Sequence, residues 1–521
     1  MLPFGTAPHR LFVAHLGIEP PAMVLLWLAL GLLLLLGLVV TLRTVQFRSR
    51  QVSGEAVPDA GQTEALQDGA AERLAGAVRF ETITQRDPAD LDREAYHDLF
   101  AYLADSFPAV HEHLSHRPVN GLSRLFRWQG TDADLAPIVL MAHVDVVPVE
   151  KETWDQWTHP PFGGEIDDGY VWGRGALDDK ASAVGILEAV EQLLQQGYQP
   201  KRTVYLAIGH DEEVGGEDGA KHLAEAIAEN GQRPAMVVDE GGAITVGAIP
   251  DFEQPLALVG IAEKGYLSVE ISAEGLGGHS SVPPDETSIG SVARAIRRLR
   301  DNPLPARLDG VTGQTFDHVA PEMGGAARVA FANLWLLRPL VEWALSRNET
   351  TDAAIRTTTA PTMLEAGVKD NVVPSTARTV VNFRILPTQS VNDVRQHVER
   401  TLDGLPVSVA VVQQGEPTRV SKTESPWFDL FKRTVREVTS DDTVVAPYLV
   451  PGTTDSRFYS DLCDHVFRFA PFTLTTDDRE RIHGIDERIA LEDYRKMVAF
   501  YERVIRNADG LTDGAAEQEA A

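Results

Sequence analysis

The stretch YLAIGHDEEVGGEDG, Tyr205 to Gly219, sets the problem. A continuous apolar run, as a buried strand requires, breaks into His210, Asp211, Glu212 and Glu213 and then into two glycines. Adjacent carboxylates at the mouth of a buried strand repel each other and lose hydration, so they need a cation or a proton-transfer role to be retained there. The texture recurs on either side. IVLMAHVDVV (138–147) is an apolar run carrying His143 and Asp145, and AMVVDEGG (235–242) ends in Asp239 and Glu240. Between them SAVGILEAVEQLL (182–194) has helical periodicity. Apolar strands alternating with helices predict a mostly parallel α/β sheet covered on both faces. Open sheets of that kind carry their sites past the carboxyl ends of the strands, where these polar clusters fall.

Outward from this core the texture changes. GYLSVEISAEG (265–275) alternates apolar and polar residues like a half-exposed strand. SIGSVARAIRRLR (288–300) is an amphipathic helix, and ARTVVNFRILP (377–387) is a further strand. This reads as a smaller α/β domain inserted into the first. WFDLFKRTVREV (427–438) and LEDYRKMVAFYERVIRNA (491–508) then resume the larger one. The expected boundaries are 72–262 and 416–507 for the two parts of the catalytic domain and 263–415 for the insertion. Residues 508–521, small and acidic, read as a disordered tail.

The amino-terminal region is not globular. Ala22 to Leu42 holds no charge over a length that matches the roughly 20 residues of a membrane-spanning helix. It is longer than the roughly 7–15 residues of a signal-peptide core, and no clear small-x-small cleavage site follows. A retained single-pass anchor at 22–42 is therefore expected, preceded by a segment 1–21 and followed by a polar tether, 43–71. Arg43, Arg48 and Arg50 follow the span and Arg10 precedes it, a small bias toward a cytoplasmic carboxyl-terminal side that leaves the side open.

At 521 residues the chain exceeds one ordinary domain. A net charge of −29 argues against nucleic acid as a partner, because phosphate binding needs basic patches. One cysteine, Cys463, excludes an internal disulfide and a cysteine-based zinc cluster.

The candidate chemistry lies at the polar strand ends: His143 and Asp145, Asp178 and Asp179 in GRGALDDK, the DEE triplet, Asp239 and Glu240, and His483 in RIHGIDE. Taken singly, each has an ordinary structural explanation: a chance pair, a solvated helix start, a turn. Their ordered recurrence after apolar strands is what points to a site. Histidine and carboxylate ligands without cysteine suit a hydrolytic Zn²⁺ centre, with Mn²⁺ or Co²⁺ as alternative occupants. Two metals sharing a carboxylate need about five protein ligands and leave a further glutamate free as base.

The ordered series resembles the dizinc aminoacylase and carboxypeptidase family, in the branch of carboxypeptidase S and the secreted N-fatty-acyl-amino-acid synthase/hydrolase. The segments that carry the likeness are WGRGALDDK, DEEVGG, VVDEGG, EKGYLSVE, GHSSVPP, IRTTTAPTMLEAGVKDNVVP, VNFRILP, GTTDSRF and RIHGIDE, spread from about Ala75 to Ala508. The resemblance implies that His143 and Asp239 bind one zinc, Glu213 and His483 the other, and Asp178 both, with a cis peptide bond after Asp178. Glu240 is the alternative to Asp239. Asp145 would orient the His143 imidazole, and Glu212 would be the general base. His279 would reach the active site of a second subunit across a dimer of the inserted domain and stabilise the oxyanion. Asn371, Arg384 and Arg457 would bind substrate, the arginines either as carboxylate forks or as structural ion pairs. Lys180 reads as local charge balance. The implied reaction is hydrolysis of the amide of an N-acyl amino acid, or of a short peptide with a free carboxyl terminus. A membrane anchor favours the lipid-like acyl substrate. The rival readings are an inactive membrane-anchored binding protein and a purely structural acidic protein.

Overall fold

The computed structural model describes residues 20–52, 68–229, 231–247, 249, 252–475 and 478–511. Most of segment 1–21, the middle of the 43–71 tether and the tail beyond 511 lie outside the described residues.

Ten strands form one large sheet. At its centre Ile138–His143 lies parallel to both Val204–Gly209 and Met236–Asp239, and Val466–Arg468 runs parallel beside the last of these. Antiparallel pairings flank this centre, Ser123–Trp128 against Val204–Gly209 on one side and Leu256–Glu263 against Val466–Arg468 on the other, and Val444–Val450 then runs parallel to Leu256–Glu263. The sheet is therefore mixed, with five parallel and four antiparallel pairings among the described residues, and three of the parallel ones lie where the polar clusters are. Alternation sends Leu140, Leu206 and Ile208 to one face and Val139, Met141, Tyr205 and Ala207 to the other. The first face packs under the helices Lys180–Gln195, Pro426–Val438 and Leu491–Ala508, the second under Ala220–Ala228. Burial on both faces explains why these strands read as unbroken apolar runs.

The chain leaves this sheet at Glu263 and enters a four-stranded antiparallel sheet, Thr358–Ala366, Thr376–Ile385, Gly265–Glu274 and Ser408–Gly415 in spatial order. The helices Ser288–Asp301 and Val391–Leu402 cover one of its faces. The second of these starts with a capping box, in which Ser390 and Asp393 exchange side-chain and backbone hydrogen bonds. Within the same excursion Val319, from the helix Val311–Val319, packs with Leu256, Val444 and Ala446 of the large sheet.

The helix Pro20–Gln46 stands at the amino terminus. Its segment Met23–Gln46 has a mean hydropathy of 2.9 and no buried window, which suits a membrane span and equally a signal sequence. The first residues of the expected tether dock on the body: the Gln51 amide exchanges hydrogen bonds with the backbone of Val445, Lys432 donates to the carbonyl of Arg50, and Arg436 to that of Val52.

Candidate metal centre

Register delivers the site. His143 pairs with Gly209 and Leu140 with Val238, so the clusters that follow these strands reach the same edge of the sheet. His143 is buried. Its Nδ1 lies 3.3 Å from Asp145 Oδ1, and its Nε2 lies 3.1 Å from Asp178 Oδ1 and 3.4 Å from Glu240 Oε1. Asp178 Oδ2 lies 3.2 Å from His483 Nε2, which is also 3.2 Å from Glu213 Oε1. Asp178 therefore spans the two imidazoles, one oxygen to each. The peptide bond that follows it is cis. A loop carries His483, with φ of 61°.

Charges in this array are strongly perturbed. Burial would push the His143 imidazolium down, but hydrogen bonds to Asp145, Asp178 and Glu240 outweigh it and raise its pKa well above the ordinary value. Hydrogen bonds to Asp178 and Glu213 push His483 up to about 10. Burial acts on Asp178 in the opposite sense, yet the same two histidines hold it below the usual carboxylate range. Burial and the Asp178 charge push Glu240 up to about 7. Burial raises Glu212 well above an ordinary glutamate, and the charges of Glu240, Asp455 and Glu213 act in the same direction. A site that raises its imidazoles and several of its acids together has an intense negative potential, which is where a divalent cation is held.

The donor set fits such an ion. Ligand atoms of His143, Asp178 and Glu213 lie within 4.8 Å of one another, and so do those of His143, Asp179 and Glu240. Ligands at about 2.0–2.1 Å in a tetrahedron stand about 3.3 Å apart, close to the 3.1–3.4 Å separations found around His143 and His483.

One expected ligand is elsewhere. Asp239, the last residue of its strand, turns its Oδ2 to the Ser456 N–H at 2.8 Å. Its neighbour Glu240 faces His143. Successive side chains of an extended chain point to opposite sides, so only one of two adjacent acids can enter the site. Asp145 does more than orient the imidazole: its two oxygens accept the backbone N–H groups of Glu212 and Glu213 at 3.2 and 3.1 Å, fixing the turn that presents both glutamates.

Sequence reasoning missed several supports. Glu487 accepts the N–H of Leu177 and of Asp178 and pairs with the buried Arg174, whose guanidinium also holds the carbonyls of His483 and Gly484. Asp455, buried in GTTDSRF, contributes to the field on Glu212. Both lie in segments the sequence had singled out, but their roles depend on long-range contact. Lys180 is buried, donates to the carbonyls of Ala77 and Phe80, and is brought down by burial to about 7, so it ties the helix start to the body.

The array opens into a cleft of about 1630 Å³ between the two sheets. Asp178, Glu212, Glu213, Glu240 and His483 line its floor, and Lys264, Arg384 and Arg457 its walls. Arg384 sits 4.9 Å over the Tyr266 ring, and Arg457 sits 4.6 Å over Phe458 while bonding the Gly215 carbonyl. His279 and Asn371 are not in this cleft. His279 is exposed on the short strand pair Gly278–His279 and Val372–Val373, with Nδ1 2.8 Å from Ser281 Oγ. Asn371 is also exposed, and its carbonyl accepts the Ser280 N–H.

Comparison with known proteins agrees with this geometry. The sequence model of Peptidase family M20/M25/M40 matches residues 139–507. The chain belongs to that family. It is 40% identical to the probable carboxypeptidase S-like 2 of Dictyostelium discoideum over 92% of this chain and 93% of that one. It is 38% identical to the N-fatty-acyl-amino acid synthase/hydrolase PM20D1 of Xenopus tropicalis over 93% and 96%. The M20 metallo-carboxypeptidase Sso-CP2 of Sulfolobus solfataricus shares the fold, with a TM-score of 0.62 at 17% identity over 85% of this chain and all of that one. The protein is thus a metal-dependent hydrolase of the metallopeptidase and amidohydrolase type.

Proposed function

We propose that the protein hydrolyses the amide bond of N-acyl amino acids, long-chain acyl groups included, and releases the free amino acid. The observation that carries the reading is Glu212, an acid with a raised pKa on the floor of a large cleft, beside an imidazole–carboxylate array that leaves it free. His143 and Glu240 are assigned to one metal, Glu213 and His483 to the other, and Asp178 to both. Glu240 replaces Asp239 because its carboxylate is the one that faces His143. Two zinc ions bound there would supply Lewis-acid polarisation and a water of lowered pKa. Glu212 takes the proton of the attacking water and delivers it to the leaving nitrogen as the C–N bond breaks. The Asp145 carboxylate keeps Glu212 in place through its backbone N–H. Arg384 and Arg457, both on the cleft wall, receive the free carboxylate.

His279 and Asn371 lie outside the cleft of their own chain, which supports a homodimer through the 263–415 insertion in which each supplies its partner's site. The insertion then acts as a lid and dimerisation domain. The helix 22–42 is assigned as a single-pass anchor. Hydrolysis of short peptides with a free carboxyl terminus is the second reading, favoured by the carboxypeptidase S-like relative at 40% identity. The test is turnover of N-oleoyl-phenylalanine and of a Gly-Leu dipeptide by one sample of measured metal content. Acyl substrate turnover with about two zinc ions per chain is expected, and dipeptide turnover alone overturns the first reading.

A further inference from the structure

We infer that the helices Gly325–Ala332 and Leu334–Leu345 form a second membrane-binding element that lies on an anionic bilayer surface beside the amino-terminal helix. The second helix, LWLLRPLVEWAL, is apolar on two sides. Leu334, Leu337, Val341 and Leu345 pack inward with Leu308 and Ile355. Trp335, Leu336, Pro339, Leu340 and Trp343 fall on one outward arc of about 140° at 3.6 residues per turn. The two tryptophans are 53% and 58% exposed and Leu340 is 56% exposed. A soluble surface does not gather two tryptophans and two leucines on one helix face without a partner for them, and tryptophan is the residue that settles at a membrane–water interface.

Hydrogen bonds set the position of this face. The buried Asn333, at the junction of the two helices, donates to the Val40 carbonyl at 3.3 Å and to Thr44 Oγ1 at 3.1 Å. Its Oδ1 accepts the indole N–H of Trp335 at 3.3 Å. Arg328 donates to the Phe47 carbonyl. The outward face therefore begins level with the last turns of the apolar helix, where the apolar run gives way to Arg43, Arg48 and Arg50. Charge agrees. In a chain of net −29, Arg328, Arg338 and Arg347 stand against Glu342 from Gly325 to Arg347, before Glu349 and Asp352 open the next helix. The Arg347 guanidinium lies 4.8 Å over the Trp343 ring, a cation–π contact that sets positive charge at the edge of this face. Such a footprint fixes the body of the enzyme against the surface from which a long-chain acyl substrate would come.

The inference rests on the anchor reading for its orientation, and the test separates the two. The full chain carries an environment-sensitive fluorophore on Leu340→Cys or on Leu33→Cys; buried Cys463 leaves the introduced thiol as the reactive one. Each is reconstituted with vesicles of phosphatidylcholine and a minority of phosphatidylglycerol. A label at 340 that brightens several-fold, shifts to the blue and is quenched by nitroxide lipid supports the inference. A label at 340 that stays water-like overturns it, whatever position 33 reports. A water-like label at 33 overturns the anchor reading alone. In the same vesicles L340E/W343E is expected to lose several-fold in turnover of vesicle-borne N-oleoyl-phenylalanine while turnover of water-soluble N-acetyl-phenylalanine is unchanged, and equal loss on both substrates would also count against the inference.

Discussion

The two sheets of this protein treat charge in opposite ways. At the edge of the large sheet, carboxylates and imidazoles, of which only His483 is exposed, lie 3.1–3.4 Å from one another and shift each other's protonation. On the four-stranded sheet the charges are paired in water, as in Arg378 with Glu365 at 2.7 Å, and the outer strands Thr358–Ala366 and Ser408–Gly415 are almost wholly exposed. Exposed pairs of that kind contribute about 0–1 kcal/mol. The contrast teaches that the candidate metal ligands gather at one sheet, while the insertion offers open edges and, on a separate two-stranded pair, the exposed His279. Five substitutions test that division.

The largest effect is expected at Glu212. Glu212→Gln removes the proton carrier but keeps the shape, so kcat falls by about 10²–10⁴-fold while metal content per chain is unchanged. Unchanged turnover breaks the assignment. The pH profile carries a second signature. The base acts only when ionised, and its pKa is raised above 4.5, so the acid limb of kcat/KM lies above that of an ordinary glutamate and activity is lost as pH falls through it.

Next comes the choice between adjacent acids. Glu240→Gln withdraws a carboxylate oxygen from the His143 side, and metal content after dialysis is expected to fall clearly. Asp239→Asn, whose Oδ1 can still accept the Ser456 N–H, keeps its metal. The reverse outcome restores Asp239 as the ligand. This is also where the sequence was silent. VVDEGG names two acids, and which one enters the site follows from the phase of the strand, fixed by the pairing of Leu140 with Val238. His143, Asp178, Glu213 and His483 were legible because each lies in a distinctive segment of its own. The clamp from Asp145 to two backbone N–H groups and the grip of Glu487 on Asp178 were not, because they join residues 67 and 309 positions apart. The central parallel strands were legible as apolar runs. The antiparallel pairings of Ser123–Trp128 and Leu256–Glu263 that flank them were not, since they follow from long-range contact.

His279→Ala probes the short strand pair of the insertion. Loss of a positioned oxyanion donor lowers kcat by about 10²–10³-fold, with metal content intact. If the histidine serves the other subunit, mixed dimers of His279→Ala and Glu212→Gln each keep one complete site and regain part of the activity that neither parent shows. No recovery on mixing, with dimers confirmed by light scattering, removes the cross-subunit role.

The smallest effect belongs to the crossing between the sheets. Lys264 is buried there and donates to the carbonyls of Ala353 and Arg356. Burial lowers its pKa from 10.5 to about 8, with the Arg384 charge acting in the same direction. Between those values the unfolded chain holds a proton on this lysine that the folded chain has lost, so stability rises with pH from about 8 to 10.5. Below that window both forms are protonated and the burial penalty is present in full. Lys264→Met removes the titration, and its unfolding midpoint in denaturant should depend less on pH across this window than that of the parent. An unchanged slope would mean that the ammonium is solvated, and that the crossing is an open hinge rather than a packed joint between the chemical sheet and the exposed one.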